Sequence, residues 1–213
     1  MSGRRDFVQE NADTSRIVDL ISFDPGLTAR VMQLSNSAFL GGSSPVTDMS
    51  EAVNRIGLQN IYLMSEVFTA GLLHHVGLML MAEAFGNPYA QLFAQYADNP
   101  ETRAGEERAQ FGVDAAEAGA HLLICWNFPE PLVAAVAFHL RPKEAGDAQR
   151  TAALVHIADL IARLLEQPPT DEIACSPATE DALNILQLSH EAILRYRDRT
   201  RENFETVSAL CQP

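Results

Sequence analysis

Apolar residues recur at every third or fourth position along most of this chain, a spacing typical of helices with one buried face. Leu27, Val31, Leu34 and Ala38 show this spacing near the N-terminus. No segment shows a convincing two-residue alternation, which a half-buried strand would require. The pattern therefore predicts an all-α bundle with two helical lobes that meet near Phe68, formed by residues 1–68 and residues 69–213.

Several short motifs predict where individual helices begin and end. Asp24-Pro25 combines a capping residue with a first-turn proline, and Ser176-Pro177 does the same for a terminal pair of helices. Asp114 to Glu117 has the form of a capping box. The run from Ala70 to Phe85 predicts one continuous and strongly apolar helix, which Gly86 closes.

The charge balance limits the classes of partner. Asp and Glu outnumber Lys and Arg by 28 to 15, which gives a formal net charge of −13. A field of that sign repels nucleic-acid phosphates and anionic lipids, so neither nucleic acid nor membrane is expected as a partner. The basic concentration from Arg195 to Arg201 is interleaved with acidic residues and predicts a solvated helix. Because charged residues interrupt each hydrophobic segment, no run is expected to span a bilayer.

The cysteines indicate the cellular compartment. Cys125, Cys175 and Cys211 are odd in number and widely spaced, which favours reduced thiols over a disulfide framework or a zinc site. The first residues also lack the apolar stretch of a signal peptide. We therefore expect a cytoplasmic protein without a cofactor.

The segment Gly71-Leu72-Leu73-His74-His75-Val76-Gly77 is similar to a metal-binding helix in which an adjacent His and Asp bind one divalent cation. Here His75 stands where that motif has Asp, so a hard cation such as magnesium would lack a carboxylate oxygen. On a continuous helix His74 and His75 would point about 100° apart. The sequence therefore predicts that the two rings do not both face one site.

The other histidines allow structural as well as functional interpretations. His156 and Asp159 are three residues apart on one predicted helix face. That spacing could supply two metal ligands, or a buried histidine whose ring N–H is held by a carboxylate. His139, near a helix end, could be stabilised by the terminal carbonyl groups. Motifs for a nucleophilic serine, a P-loop or a dinucleotide turn are absent from the sequence.

Together, several ordered segments resemble the HDOD domain, the HD-related output domain of bacterial signalling proteins. The likeness runs from about Asp24 to Leu165 and includes the Gly71–Gly77 segment. The other matching segments are Asp24–Thr28, Leu34–Phe39, Ser50–Gly57, Gly119–Pro129, Phe138–Pro142 and His156–Asp159. The resemblance implies an HD-domain-like helical bundle related to metal-dependent phosphohydrolases.

In those hydrolases, scattered His and Asp residues bind one or two metal ions that activate water. Compared with that pattern, His75 replaces an Asp, Ala115 stands where relatives often carry a histidine, and Leu140 replaces the second residue of a common His-His pair. The motif remnants are His74, His75, His139, His156 and Asp159. The resemblance thus implies a degenerate metal site, without catalytic or cofactor-binding residues.

Relatives usually carry a further helical segment before the helix that begins near Ala70, whereas here Phe68 runs almost directly into that helix. The segment is either lost from this protein or omitted from the chain as written. We therefore expect an irregular or discontinuous backbone between about Ser65 and Gly71.

The resemblance implies a non-catalytic regulatory domain that binds protein partners, as part of a response regulator. One alternative is a metal-dependent phosphohydrolase that uses His74, His75, His139 and Asp159. Another is a nucleotide-binding sensor without chemistry, since an emptied active site remains a cleft. The loop from Gly41 to Pro45 and the polar stretch from Asp98 to Arg108 are expected at the surface as candidate partner-binding regions.

Overall fold

The computed structural model describes residues 18–19, 21–23, 25–37, 45–167, 173 and 175–210. Within this part of the chain the ordered elements are helices, and no strand occurs, which confirms the all-α prediction. The helices of the first part are α1 (Pro25–Ser35), α2 (Met49–Ile56), α3 (Leu58–Leu73), α4 (Val76–Phe85) and α5 (Asn87–Gln95). Then come α6 (Pro100–Phe111), α7 (Ala115–Cys125), α8 (Glu130–Phe138), α9 (Gln149–Glu166), α10 (Pro177–Leu186) and α11 (His190–Leu210), with two short 3-10 turns between α8 and α9.

The chain divides into two compact units, residues 1–66 and residues 67–213, and the division falls within α3. The first unit buries Val31 from α1 and Val53 from α2 in one apolar cluster. Asn36 connects the end of α1 to the segment before α2, because its amide donates to the carbonyl of Val46 and accepts from the Val46 N–H. Residues 1–17, Asp24 and Gly41 to Ser44 lie outside the described residues.

The backbone around Phe68 differs from the sequence-based expectation. Helix α3 is continuous from Leu58 to Leu73, so the prediction of an irregular backbone between Ser65 and Gly71 is wrong. The expected single helix from Ala70 to Phe85 is also wrong, because the helical run is interrupted at His74 and His75 and resumes at Val76. These two residues lie in a turn.

Residues 58–85 nevertheless form a helical stretch of 28 residues that is long and apolar enough, by length and composition alone, to cross a membrane. This corrects the expectation that no such run exists. A core helix of a globular protein meets the same two criteria. In the second unit, Ala70, Gly77 and Met81 from this stretch are buried.

A close approach of two helices fixes the position of the 74–75 turn. An added Cβ at Gly77 would lie 1.7 Å from the backbone oxygen of Ala115, so α4 meets α7 backbone to backbone. Gly119 completes the contact, since a Cβ there would lie 3.2 Å from the Gly77 nitrogen. The predicted capping box is confirmed at the start of α7, where Asp114 and Glu117 each accept a hydrogen bond from the other's backbone N–H.

Helices α8 to α11 contribute to two further apolar clusters of the second unit. Val136 of α8 and Val155 of α9 are buried in one apolar cluster with Leu123 of α7. Ile157 of α9 and Leu183 of α10 are buried in a second cluster, which also includes Ile193 of α11. This packing carries His139, His156 and Asp159 on elements that are held by core contacts.

Candidate functional site

His74 and His75 both face the carboxylate of Asp159. Nε2 of His74 lies 3.5 Å from Oδ1 of Asp159, and Nε2 of His75 lies 3.6 Å from the same oxygen. The ring centroids are 3.8 Å apart, because the turn between α3 and α4 removes the angular separation of a continuous helix. The expectation that the two rings cannot face one site is therefore wrong. All three ligand-type atoms lie within 4.8 Å of one another.

The ring hydrogen bonds indicate which nitrogens are available at this cluster. Nδ1–H of His74 donates to the carbonyl of Gly71 at 2.7 Å, which directs Nε2 toward Asp159. That Nε2 is buried without a hydrogen-bond partner, since 3.5 Å is too long for a normal hydrogen bond. Metal-binding histidines commonly donate their second ring N–H to a carbonyl in this way. The orphaned nitrogen is thus a candidate ligand.

His139 lies beside this cluster, with its ring centroid 5.2 Å from that of His74. Its Nδ1–H donates to the carbonyl of Val136 at 2.8 Å, at the end of α8. The expected stabilisation of His139 by a terminal carbonyl is therefore found. Burial, followed by the charge of His74, lowers the pKa of His139 to about 3. The ring is consequently neutral at physiological pH.

Asp159 is ionised and already has a cationic partner. Its Oδ2 accepts a hydrogen bond from Nε of Arg163 at 3.0 Å. Burial alone would raise the pKa of Asp159, but the neighbouring His74 ring and the charge of Arg163 hold it below its usual range. For His75, burial and the neighbouring His74 lower the pKa to about 4. At neutral pH the cluster therefore presents a neutral His75 imidazole beside a carboxylate that Arg163 partly neutralises.

His156 does not join the cluster, although it lies one helical turn from Asp159. Its Nδ1–H donates to the carbonyl of His139 at 3.0 Å, and its Nε2 accepts from the hydroxyl of Thr179 at 3.0 Å. The side chain is 1% exposed, and both ring nitrogens are occupied. Burial lowers its pKa. Neither expected role of His156 is found. Its two ring nitrogens are hydrogen-bonded to Thr179 and to a backbone carbonyl, and not to Asp159.

A cavity of about 770 Å³ opens beside the cluster, with His74, His75 and Asp159 in its lining. Arg163 and Arg103 also line it and give its wall a basic component. Sequence reasoning missed both arginines. Their signal was present as i,i+4 pairs with acidic residues, Asp159 with Arg163 and Arg103 with Glu107.

The stretch from Asp98 to Arg108 is only partly exposed, which corrects the expectation of a surface segment. Arg103 is 7% exposed and Glu107 is 1% exposed. Glu107 accepts hydrogen bonds from the hydroxyl of Tyr89 and from the backbone N–H of Ala115, each at 2.8 Å. Helix α6 therefore contributes buried polar side chains that have bonding partners inside the second unit.

The donor chemistry of the cluster decides which cations fit it. Two imidazole nitrogens and one carboxylate suit zinc, iron or nickel, whereas magnesium prefers a largely oxygen-lined site. The orphaned Nε2 of His74 supports such a fit. Arg163 opposes it, because a guanidinium already occupies one oxygen of the carboxylate. The residues therefore fit a borderline transition cation and not a hard one.

These observations define an all-α domain with a His/Asp cluster beside a cavity. The sequence profile of the HDOD domain matches residues 4–64 and 62–142. The chain belongs to the HDOD domain family, which confirms the resemblance drawn from its motifs.

Individual relatives cover the chain almost completely. Its fold resembles that of a protein from Marinobacter aquaeolei VT8 named for signal transduction, with a TM-score of 0.54, 18% identity, and coverage of 91% of this chain and 53% of that one. A protein from Shewanella amazonensis SB2B named as a phosphohydrolase is 25% identical, with a TM-score of 0.48 and coverage of 87% and 82%. An uncharacterised protein of Treponema pallidum (strain Nichols) is 24% identical over 242 residues, which include 91% of this chain and 46% of the relative.

The chain spans about half the length of the Treponema and Marinobacter proteins. The Treponema alignment is also longer than the 213 residues of this chain, so that relative carries residues without a counterpart here. In addition, the family profile matches in two pieces that meet at residues 62–64.

Proposed function

We propose that this chain is a non-catalytic output domain of a bacterial signalling pathway, which acts in the cytoplasm by binding protein partners as part of a response regulator. Membership in the HDOD family supports this proposal. The fold likeness to a protein named for signal transduction agrees with it. The remaining support comes from the chemistry of the His/Asp cluster.

The observation that carries the proposal is the state of Asp159. It is the only carboxylate within the His74–His75 cluster among the described residues, and its Oδ2 is bound by Arg163 at 3.0 Å. Hydrolysis assisted by hard cations requires several oxygen ligands and a net negative site. A single carboxylate that is already paired with a guanidinium provides neither. The second carboxylate of the motif is absent, because His75 stands in the position of its Asp.

Partner binding is supported by apolar side chains at the surface of the second unit. Aromatic residues and Met are enriched in protein interfaces relative to other surface. Five large side chains described in this unit are more than half exposed: Leu72, Met79, Ile124, Trp126 and Phe204. Because isolated exposed apolar residues are common, these positions are starting points for mutagenesis and do not define a binding surface.

A gene replacement separates signalling from catalysis. The native gene is deleted, and the deletion strain is complemented with either the wild-type gene or an Asp159→Asn variant. The transcriptional output of the pathway is measured in each strain by RNA sequencing. The proposal expects that the deletion alters the output and that Asp159→Asn restores the wild-type profile. Purified Asp159→Asn is checked for helical content by circular dichroism. A folded variant that reproduces the deletion profile would overturn the non-catalytic assignment.

A second candidate function is a metal-dependent phosphohydrolase, which the buried and unpartnered Nε2 of His74 favours. His74, His75 and Asp159 would hold a transition cation, with His139 beside them. When bound, such a cation lowers the pKa of a coordinated water molecule. The chain itself fixes the His74 tautomer through Gly71 and supplies Arg103 and Arg163 to an anionic ester in the cavity.

Metal content and activity together test this candidate. Purified protein is analysed for metal by mass spectrometry and assayed with a chromogenic phosphodiester in the presence of Zn²⁺, Ni²⁺, Fe²⁺ or Mn²⁺. The non-catalytic proposal expects no turnover that depends on the cluster. Stoichiometric metal, together with phosphoesterase activity that His74→Ala abolishes, would establish the second candidate in its place.

A further inference from the structure

A second group of metal-ligating side chains lies outside the His74 cluster. Nε2 of His190 is 2.7 Å from Sγ of Cys175 and 3.2 Å from Oε1 of Glu180. The three ligand-type atoms lie within 4.8 Å of one another. Cys175 is exposed, and the side chains of Glu180 and His190 are about half exposed, so an ion can reach all three from solvent.

The local sequence explains why these residues meet. Ser176 caps α10 by accepting from the backbone N–H of Thr179, which places Cys175 directly before the helix and Glu180 in its first turn. His190 is the first residue of α11. The turn between the two helices is closed by a hydrogen bond from the Leu188 N–H to the carbonyl of Leu183. The cluster is therefore built on helix ends.

Core packing holds these two helices in place. Leu183 of α10 is 4% exposed and Ile193 of α11 is fully buried, and both belong to one apolar cluster with residues of α9. The arrangement of Cys175, Glu180 and His190 is thus supported by side chains behind it. A ligand set on packed helix ends requires less ordering when an ion binds than one on a free loop.

The three ligand-type atoms are better suited to coordinating one transition cation than to hydrogen bonding with one another. A thiol sulfur, an imidazole nitrogen and a carboxylate oxygen are the protein ligands of Zn²⁺, at about 2.0 to 2.3 Å from the ion. In tetrahedral geometry such bonds place ligand atoms roughly 3.5 Å apart. Nε2 of His190 contacts both Cys175 and Glu180 but carries only one proton or one lone pair. One cation can satisfy all three donors.

We propose that Cys175, Glu180 and His190 form a binding site for a divalent transition-metal ion such as Zn²⁺, independent of the function proposed above. The site joins the segment before α10 to the first residue of α11 and so stabilises this helix pair. Three donors converge here among the described residues. The thiolate gives this site a preference for softer cations that the His74 cluster lacks.

Binding requires that Cys175 lose its proton to solvent. Burial, followed by the negative charge of Glu180, raises the pKa of the Cys175 thiol. The thiol is therefore protonated at neutral pH without an ion, and the ion displaces one proton when the sulfur–metal bond forms.

Titration with Co²⁺ tests the proposal, because a thiolate bound to cobalt gives a charge-transfer absorption that imidazole and carboxylate ligands do not give. The full chain is stripped with a chelator, reduced and titrated with Co²⁺, and Zn²⁺ is then added as a competitor. The expected result is one equivalent of the sulfur-dependent band, which Zn²⁺ abolishes. The His74→Gln variant should retain it, since the other cluster contains no sulfur.

Variants of the cysteines assign the band to one thiol. In a Cys125→Ser/Cys211→Ser variant Cys175 is the sole thiol, and the band should persist. It should disappear in Cys175→Ser, and His190→Gln should weaken Zn²⁺ binding by at least about tenfold in isothermal titration calorimetry. A wild-type protein without the band, or a band that survives Cys175→Ser, would overturn the proposal. The midpoint of thermal unfolding, measured for each variant after the metal has been removed, verifies that the variant is folded.

Discussion

His156 is buried and His74 is largely buried in the second unit, and their second ring nitrogens distinguish them. Each donates Nδ1–H to a backbone carbonyl, that of Gly71 for His74 and that of His139 for His156. Nε2 of His156 then accepts from the hydroxyl of Thr179, whereas Nε2 of His74 has no hydrogen-bond partner. The comparison shows that burial alone does not identify a structural histidine, since one ring is satisfied and the other is prepared for a ligand.

Helix α9 carries this difference from one turn to the next. His156 belongs to the interior, while Asp159, three residues later, lines the cavity beside His74 and His75. Among the motif remnants, His74, His75 and Asp159 therefore keep the arrangement of a ligand group. His156 has become part of the core, and removing each kind of residue should have a different consequence.

The largest expected effect is the destabilisation caused by replacing His156 with leucine. The His156→Leu substitution introduces an apolar side chain of similar size but removes the donor to the carbonyl of His139 and the acceptor of the Thr179 hydroxyl proton. A buried group that loses its partner costs about 1–3 kcal/mol, so the free energy of unfolding should fall by about 3 kcal/mol. Urea denaturation followed by circular dichroism measures the change.

His121 provides a matched control, because it lies exposed on α7. The His121→Leu substitution should change the free energy of unfolding by less than about 0.5 kcal/mol. If His156→Leu changed the free energy of unfolding as little as His121→Leu, the hydrogen bonds of His156 would contribute little to stability. The structural role that distinguishes His156 from His74 would then be contradicted.

Acid is expected to have an effect of intermediate size per pH unit, because the folded protein keeps its buried histidines neutral. The pKa of His139 falls from 6.5 in its reference state to about 3 in the folded protein, and that of His156 is also lowered. As the pH falls from about 6.5 toward 3, the unfolded chain therefore binds protons that the folded chain does not bind. Stability should decrease over this window by up to about 1.4 kcal/mol per pH unit for each histidine.

Urea denaturation at pH 7 and at pH 5 measures this slope. His139→Asn should reduce it by removing one of the two buried rings. Asp159 acts in the same direction at lower pH, since its lowered pKa makes its contribution disappear only below about pH 4. A stability that stayed constant between pH 7 and 5 would contradict the proton balance.

The sequence was informative wherever the physical signal is local. The capping box from Asp114 to Glu117 and the start of α10 at Pro177 depend on neighbouring residues, and both were predicted correctly. The all-α class follows from periodicity over many residues. The ordered motifs identified the HDOD family, and the matching profile confirms it.

The turn at His74 and His75 was not predictable in the same way. The run from Ala70 to Phe85 has no proline or helix-breaking pair at positions 74 and 75, and its composition favours one helix. The close contact of Gly77 with Ala115 of α7 is a tertiary constraint that local sequence does not contain. For the same reason, spacing on α9 could not show that Thr179, from another helix, would hold His156.

The smallest effect is expected from His75→Asp, which restores the carboxylate of the motif beside Asp159. Without a cation, a second negative charge near the first should lower the free energy of unfolding by about 1 kcal/mol. Mn²⁺ should offset this loss in the His75→Asp variant and not in the wild type, because oxygen ligands favour the harder cation. Thermal denaturation with and without Mn²⁺ measures both quantities.

His75→Gln, neutral and at the same half-exposed position, is the matched control and should respond as the wild type does. An equal response of His75→Asp and His75→Gln to Mn²⁺ would show that the loss of one carboxylate is not what separates this cluster from a hard-cation site.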